Sequence, residues 1–256
     1  MVLTRTGDRL PPAVLVDPSS PRAEIAAELA QLAMALYDAA GMAETVDRVL
    51  EYAVRATGAD CAGVVLVHRG KGMQTAGVTD GRLERADRLQ VRYGEGPCVP
   101  VSMDHHSVLV CDTTTDQRWP RWSPRIAELG LRSVLTVPLF TARSTLGALN
   151  LYANRPGQFT TPDETAADLL ARHASVAVAT ARDAATSAIA VEARTVIGRA
   201  QGLLMERFGI DADQAFAVLR RYSQDSNVKL RVVADALVST RRLPADHLEA
   251  KPMDDR

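Results

Sequence analysis

The chain contains 256 residues, 46% of them apolar and 24% charged, with a formal net charge of −1 at pH 7. This composition supports one large packed domain or two ordinary ones, and its apolar runs stop far short of the roughly 20 residues that cross a bilayer. Because the first residues also lack the apolar segment of a secretory signal, we expect a folded cytoplasmic protein with no membrane contact.

The first 60 residues combine an irregular leader with two helical patterns. Residues 1–20 contain Pro11, Pro12 and Pro18 without sustained periodicity, which predicts a flexible leader. Apolar residues then recur at helical spacing, first up to Leu36 and again up to Val54. We therefore expect two helices before the first strand.

Short β-branched segments predict a sheet in the following hundred residues. Two of them lie between residues 61 and 78 on either side of a Gly-rich turn, which indicates an antiparallel hairpin. A polar helix near residues 83–91 and a short apolar run at 107–111 follow, and the strongest strand patterns come at 133–140 and 146–152. The predicted fold class is α+β, with one antiparallel sheet of about five strands flanked by helices.

A long helical pattern follows the sheet. Between Pro162 and Gly198 the chain has no proline or glycine, so a nearly continuous helix of about 45 residues is expected, on the order of 65 Å long. Such a helix usually packs on a partner, and the small residues between Ala177 and Ala185 would let a second copy approach closely. We therefore predict a homodimer; the alternative is a break near Ser187, with the helix packing on its own domain.

Two shorter helices are predicted to close the chain. Gly209 ends the long helix, and Asp211 with Gln214 forms a capping pair for the next one, whose predicted inner face is Ala215, Phe216 and Leu219. Apolar residues at helical spacing from 230 to 238 predict the last helix. Residues 246–256 are predicted to be a flexible tail.

The basic residues are concentrated in this C-terminal part. Residues 193–243 contain nine basic and five acidic side chains, whereas the rest of the chain contains 21 basic and 26 acidic ones. A mildly basic segment after an acidic body indicates a module that faces a polyanion.

Catalytic and metal-binding patterns are absent from the sequence. There is no G-x-S-x-G elbow, no phosphate-binding P-loop and no convincing pair of carboxylates, so we do not expect an enzyme. The cysteines Cys61, Cys98 and Cys111, with His105 and His106, match no standard metal site, and we expect no metal or cofactor. A redox-sensitive Cys98 remains open if a nearby cation lowers its pKa.

The C-terminal residues resemble a known RNA-binding module. The run RTVIGRAQGLLMER at 194–207, the pair Ala215-Phe216, LRRYSQ at 219–224 and NVKLRVVA at 227–234 are similar, in order and spacing, to the helices of the ANTAR domain of bacterial transcription antitermination regulators. The family's common A-K-G reads Ala200-Gln201-Gly202 here, which removes a cation that could meet phosphate. The resemblance places this domain at residues 183–245.

Residues 21–182 resemble a GAF domain, the small-ligand sensory module. The resemblance rests on the helix-helix-strand order, the loop Gly94-Glu95-Gly96-Pro97-Cys98 and the closing strand. It implies a pocket for an unidentified small-molecule ligand, with Gly96, Cys98, Trp119 and Trp122 as the candidate pocket residues. The signature of cyclic-nucleotide GAF domains is not recognisable, so no ligand is named.

Together the two resemblances imply a signal-responsive regulator that binds hairpin RNA and promotes transcription antitermination. Side chains are expected to read unpaired loop bases, because the deep major groove of A-form RNA excludes them. The predicted RNA-binding residues form a polar stripe on the first ANTAR helix and a basic set on the next two: Arg194, Gly198, Gln201, Met205, Arg220, Arg221, Lys229 and Arg231.

Three points stay open from sequence. Gly198 and Gly202 are costly inside a helix, which indicates close approach by RNA or by another helix. A terminal three-helix unit is also compatible with a DNA-binding transcription factor. A ligand sensor or interaction protein without RNA binding is the other alternative, and Gln201 is the residue that favours it.

Overall fold

The computed structural model describes residues 30–68, 72–100, 105–142 and 144–242. The predicted leader at 1–20 and the predicted tail at 246–256 lie outside these ranges. Contacts within the chain divide it into two units, Met1–Ala181 and Arg182–Arg256. Across the residues that the structure describes, no helix has the length and apolar character needed to span a membrane.

The first unit is a five-stranded sheet covered by helices. Its elements in chain order are α1 (residues 30–37), α2 (Met42–Thr57), β1 (Cys61–His68), β2 (Gly72–Val78), α3 (Arg82–Tyr93), β3 (Val108–Val110), α4 (Ser123–Glu128), β4 (Ser133–Thr141) and β5 (Ser144–Ala153). The strand order is β2-β1-β5-β4-β3, and each neighbouring pair is antiparallel. The predicted α+β class and the predicted hairpin are confirmed.

Both faces of the sheet are covered at its centre, because alternate side chains of β1, β4 and β5 enter different cores. On β5, Leu149 and Leu151 pack with residues of α1, α2 and the long helix that follows the sheet. Tyr152 belongs instead to a second cluster with residues of α3 and α4, and Asn150 hydrogen-bonds into the turn at Cys98. The second face therefore carries polar side chains under α3.

The long helix α5 runs from Thr161 to Phe208 and contains 48 residues. The predicted continuous helix is confirmed, and the alternative break near Ser187 is wrong. Within the first unit, its small and branched residues Ala167, Ala171, Ala174 and Val178 are buried against the sheet. An alanine-rich sequence suits this position because small side chains let the helix lie close to the strands.

The second unit consists of the C-terminal part of α5 with α6 (Ala212–Asp225) and α7 (Leu230–Thr240). Gly209 follows α5 with φ +62°, and Asp211 and Gln214 form the predicted capping box at the start of α6. The core residues are Ala200, Leu204, Ala215, Leu219, Val233, Ala234 and Leu237.

One inner-face prediction in this unit is wrong. Phe216 is 38% exposed, whereas Ala215 and Leu219 are fully buried. Val218 and Tyr222 pack against the core in its place. The helical period explains the difference, because residues three, four and seven positions after Ala215 return to its face and the next residue turns away by roughly 100°.

Candidate functional site

A cavity of about 710 Å³ lies in the first unit between β1, β2, α3 and the turn at Cys98. This volume is within the range of small-molecule sites, roughly 300 to 1,000 Å³. The wall combines residues of the two strands with one side of α3 and its end: Val65, Met73, Thr75, Arg85, Asp87, Arg88, Leu89, Gln90, Val91, Arg92 and Cys98. Of the four predicted pocket residues, Cys98 lines this cavity.

The loop at 94–98 is held in place by Gln90 of α3. The Gln90 side-chain oxygen accepts a hydrogen bond from the Cys98 backbone N–H at 3.0 Å. Gly96 lies against the same side chain with φ +128°, and a Cβ there would come within 2.4 Å of that oxygen. Only glycine therefore fits at position 96, so Gly96 positions Cys98 and does not itself line the cavity.

The thiol of Cys98 sits in a buried hydrogen-bond network. Gln90 Nε2 donates to Cys98 Sγ at 3.2 Å, and Cys98 Sγ donates to Asn150 Oδ1 at 3.2 Å. Thr136 donates to the same Asn150 oxygen at 2.8 Å. Burial, followed by the charge of Asp87, raises the pKa of Cys98 to about 12. The hypothesis of a redox-sensitive Cys98 is contradicted, because oxidation requires thiolate character and access to solvent.

The two predicted pocket tryptophans belong to the core and are not among the residues that line the cavity. Trp119 and Trp122 pack edge to face, with ring centroids 5.8 Å apart, in the cluster that contains Tyr152. Glu95 anchors their segment, because its carboxylate accepts hydrogen bonds from the backbone N–H groups of Arg121 and Trp122. Both indoles are therefore buried in this core and do not belong to the cavity wall.

Asp87 is a cavity residue that sequence reasoning missed. Its side chain is on the inner side of α3 and accepts a hydrogen bond from the Thr75 hydroxyl at 2.7 Å. Burial is the largest cause that raises the pKa of Asp87, to about 6. The signal was present in the sequence, since Asp87 is four residues after Leu83 and three before Gln90, both of which are buried.

The described residues contain no group of three or more His, Cys, Asp or Glu side chains that could hold a metal ion. His105 stacks on Phe140 with ring centroids 4.4 Å apart, and its Nε2 lies 2.8 Å from the Thr145 hydroxyl oxygen. The ring is thus in contact with the sheet.

In the second unit, Gln201 connects α5 with α6. Its side-chain Nε2 donates a hydrogen bond to the Ala212 backbone oxygen at 3.0 Å. Phe216 and Arg220 lie four and eight residues after Ala212, so they continue along the same side of α6. We call the predicted stripe Arg194, Gly198, Gln201 and Met205, together with Phe216 and Arg220, the α5–α6 face, because the Gln201–Ala212 hydrogen bond joins the two helices at this side.

The α5–α6 face is open to a partner. A Cβ on Gly198 or on Gly202 would meet no atom within 4 Å, so neither glycine is required by packing inside this chain. Phe216 presents an exposed aromatic ring beside this stripe, and Arg194 and Arg220 are exposed. Sequence reasoning missed Phe216 because it assigned this residue to the core.

The other predicted RNA-binding residues lie apart from this face. Arg231 of α7 pairs with Glu192 of α5 at 3.3 Å. Glu192 is nine residues before Gln201, which is about two and a half helical turns, so the two side chains lie on opposite sides of α5. Arg221 pairs with Asp225 at 3.6 Å and points to the opposite flank of α6 from Phe216. Lys229 is exposed just before α7 begins. Arg221 and Arg231 thus lie on other flanks of the helical unit than the α5–α6 face.

The first unit contains a ligand-sized cavity, and the chain continues into a three-helix unit that carries the α5–α6 face. Family models match both parts: a GAF domain at residues 39–179 and an ANTAR domain at residues 185–238. The chain therefore belongs to the family of regulators that join a GAF domain to an ANTAR domain. No curated protein matches it.

Solved structures agree with this fold. The GAF domain of a phosphoenolpyruvate-protein phosphotransferase from Coxiella burnetii is 18% identical with a TM-score of 0.53, and the match covers 65% of this chain and 99% of that one. The corresponding domain from Acinetobacter is 16% identical with a TM-score of 0.50, covering 64% and 96%. A phytochrome photosensory core module from Stigmatella aurantiaca is 12% identical with a TM-score of 0.54, covering 84% and 46%. At these identities the likeness concerns the fold alone.

Proposed function

We propose that the protein is a bacterial, cytoplasmic regulator that binds hairpin RNA through its ANTAR domain and promotes transcription antitermination. The observation that carries this proposal is the ANTAR match over residues 185–238. The excess of basic over acidic residues at 193–243 adds support, because phosphate contacts supply most of the affinity for nucleic acid.

The α5–α6 face is the proposed site of RNA contact. Unpaired loop bases expose flat surfaces that stack on aromatic side chains, and Phe216 supplies such a ring beside Gln201. Arg220 and Arg194 supply cations for the backbone phosphates, and Gly198 lets the RNA approach the helix closely. Gln201 keeps its side-chain oxygen for RNA while its nitrogen is bound to Ala212.

The GAF domain is proposed to sense a small molecule in the cavity under α3 and to act without catalysis. Helix α5 contributes residues to the cores of both units, so it is the element through which ligand binding would change RNA affinity. Such control requires that ligand bind more tightly to one arrangement of the protein than to the other. Two copies joined along α5 would present two RNA-binding modules to neighbouring hairpins.

The test is a titration of the full chain into tandem RNA hairpins with six-base loops, at fixed salt. We expect loop-dependent binding, with weaker binding to loop-scrambled RNA and to duplex DNA. Loss of one stacked base is worth about 1 to 3 kcal/mol, so Phe216→Ala is expected to lower the affinity by roughly five- to a hundredfold. Arg220→Ala should lower it as well and reduce its salt dependence.

Arg231→Ala is the matched control, because it removes an exposed arginine from the other flank and an ion pair of little energetic value. We expect its affinity to stay within about threefold of the parent chain. Equal binding to hairpins, scrambled RNA and duplex DNA would contradict RNA recognition. Loop-dependent binding that depends on Arg231 and not on Phe216 would move the contact surface to α7.

A further inference from the structure

Asp87 is a buried carboxyl group for which the burial penalty exceeds the charge effect of the neighbouring Arg88. Its side chain is 7% exposed, lines the cavity and accepts one hydrogen bond, from Thr75. Among the described residues it forms no ion pair, and the neighbouring Arg88 is exposed and pairs with Glu84 at 3.4 Å. A desolvated carboxylate is stable only with charge compensation and several hydrogen bonds, so this wall of the cavity favours a positively charged or strongly donating group.

The other polar groups of the inner wall are already engaged. Gln90 and Cys98 hydrogen-bond each other through both the side-chain nitrogen and the side-chain oxygen of Gln90. Asp87 is consequently the strongest acceptor that the wall offers to a ligand. Its pKa near 6 leaves the carboxyl mostly ionised at pH 7.5, and a cation beside it would favour ionisation further.

A second observation concerns the polar side chains of the sheet behind Cys98. Asn150 Nδ2 and the Tyr152 hydroxyl are fully buried and have no hydrogen-bond partner among the described residues. Asn150 lies directly behind the cavity residue Cys98, to which its oxygen is bonded. Neither residue lines the cavity, and because buried polar groups in folded proteins are nearly always paired, these two unpaired atoms mark a polar region behind its wall.

The remaining wall determines the rest of the ligand. Val65, Met73 and Leu89 give an apolar surface next to Asp87. Arg85, Arg88 and Arg92 also contribute to the wall, but all three are exposed, so solvent and salt screen their charges far more than that of Asp87. The cavity thus combines one buried negative group and an apolar wall with three exposed arginines.

We propose that the cavity binds a small organic amine, whose nitrogen donates to Asp87 and whose apolar body packs on Val65, Met73 and Leu89. This assignment rests on the proposed sensory function of the GAF domain and names the chemical class of the ligand that it senses. Asp87 is then a ligand-binding residue, and Thr75 positions its carboxylate.

The test compares three probes that share one apolar body: 4-phenylbutylamine, 4-phenyl-1-butanol and 4-phenylbutyrate. Each is titrated into the full chain at pH 7.5 by isothermal titration calorimetry. We expect the amine to bind at least about tenfold more tightly than the alcohol, and the carboxylate to bind most weakly. Asp87→Asn keeps the size of the side chain and a partner for Thr75, and should abolish the preference for the amine.

Asp47→Asn, a change of the same kind at an exposed position of α2, is the matched control and should leave the preference intact. The proposal is overturned by equal binding of the three probes, by preference for the carboxylate, by absence of binding at millimolar concentration, or by an amine preference that survives Asp87→Asn. None of these outcomes depends on RNA, so failure here is distinct from failure of the hairpin titration.

Discussion

The environment of single residues decides what each can do in this protein. Nothing in the sequence distinguishes Asp87, Cys98 and Trp122. Burial raises the pKa of the Asp87 carboxyl and keeps the Cys98 thiol protonated, and Trp122 is part of a hydrophobic core. Gly96 shows the same dependence, since its need for glycine comes from the Gln90 side chain six residues earlier. Sequence reasoning selected Gly96, Cys98, Trp119 and Trp122 by resemblance and could not sort them, because sorting requires their neighbours in space.

Asp87 gives a prediction for the pH dependence of stability. Its pKa is about 6 in the folded protein and about 3.9 in an unfolded chain, so the folded state binds more protons between these values. Its contribution to stability is therefore full below about pH 4 and is lost as the pH rises through 6. Between pH 4.5 and 7.5 we expect the parent chain to lose about 2 kcal/mol of unfolding free energy that Asp87→Asn retains.

Urea unfolding followed by tryptophan fluorescence measures this difference, because both tryptophans belong to the core of the first unit. Other titrating groups act equally on the two proteins and cancel in the comparison. Thr75, Arg88, Glu84, Cys98 and Tyr152 are the groups that interact with Asp87, and none of them is changed. If the unfolding free energies of parent and variant change equally with pH, burial does not raise the pKa of Asp87 and the prediction is wrong.

At the scale of elements, the local patterns of the chain were sufficient for most of the first unit. The hairpin β1–β2, the strands β4 and β5 and the continuous α5 were predicted because their signals are periodic and lie within one segment. The order β2-β1-β5-β4-β3 was not predicted, because pairing of β1 with β5 joins residues about 85 positions apart.

A substitution at Gly147 tests whether the β1–β5 pairing leaves room for a side chain at that position. It lies opposite Leu66 in the β1–β5 ladder, and a Cβ at Gly147 would be 1.8 Å from the Val65 backbone oxygen. Since backbone cannot move aside as a side chain can, Gly147→Ala should cost more than about 4 kcal/mol or prevent folding of the first unit. Gly157→Ala is the control: its φ is +64° but its Cβ would meet nothing within 4 Å, so about 1 to 2 kcal/mol is expected.

Urea unfolding by circular dichroism and tryptophan fluorescence compares the two alanine variants. Similar losses of stability at both positions would mean that backbone conformation, and not the contact with Val65, is the reason for glycine at 147.

At the scale of the whole molecule, α5 keeps large apolar side chains exposed. Val176 and Val191 are 65% and 61% exposed, and their spacing along α5 places them within about 60° of each other around the helix. Exposed branched side chains along a long helix are typical of a surface that packs on a partner, and a second copy of the chain is the partner we propose.

Sedimentation of the full chain tests this proposal. We expect a species of twice the 27.6 kDa chain mass, and we expect Val176→Glu to shift it towards the monomer, because a charge in an apolar interface is poorly solvated. Val232→Glu, at a valine of α7 that is 50% exposed, is the matched control and should leave the mass unchanged. A monomeric parent chain at micromolar concentration would contradict dimer formation along α5.

The sequence by itself determined the class of the sheet, the continuity of α5 and the family, because each depends on patterns within continuous segments. Only the tertiary structure decided which residues form the cavity and which form the α5–α6 face. Thr75, Asp87 and Cys98 meet through three different elements, and Gln201 meets Ala212 across a turn. The physical reason is that periodicity reports which side of its own element a residue occupies, whereas a site is made by the packing of several elements.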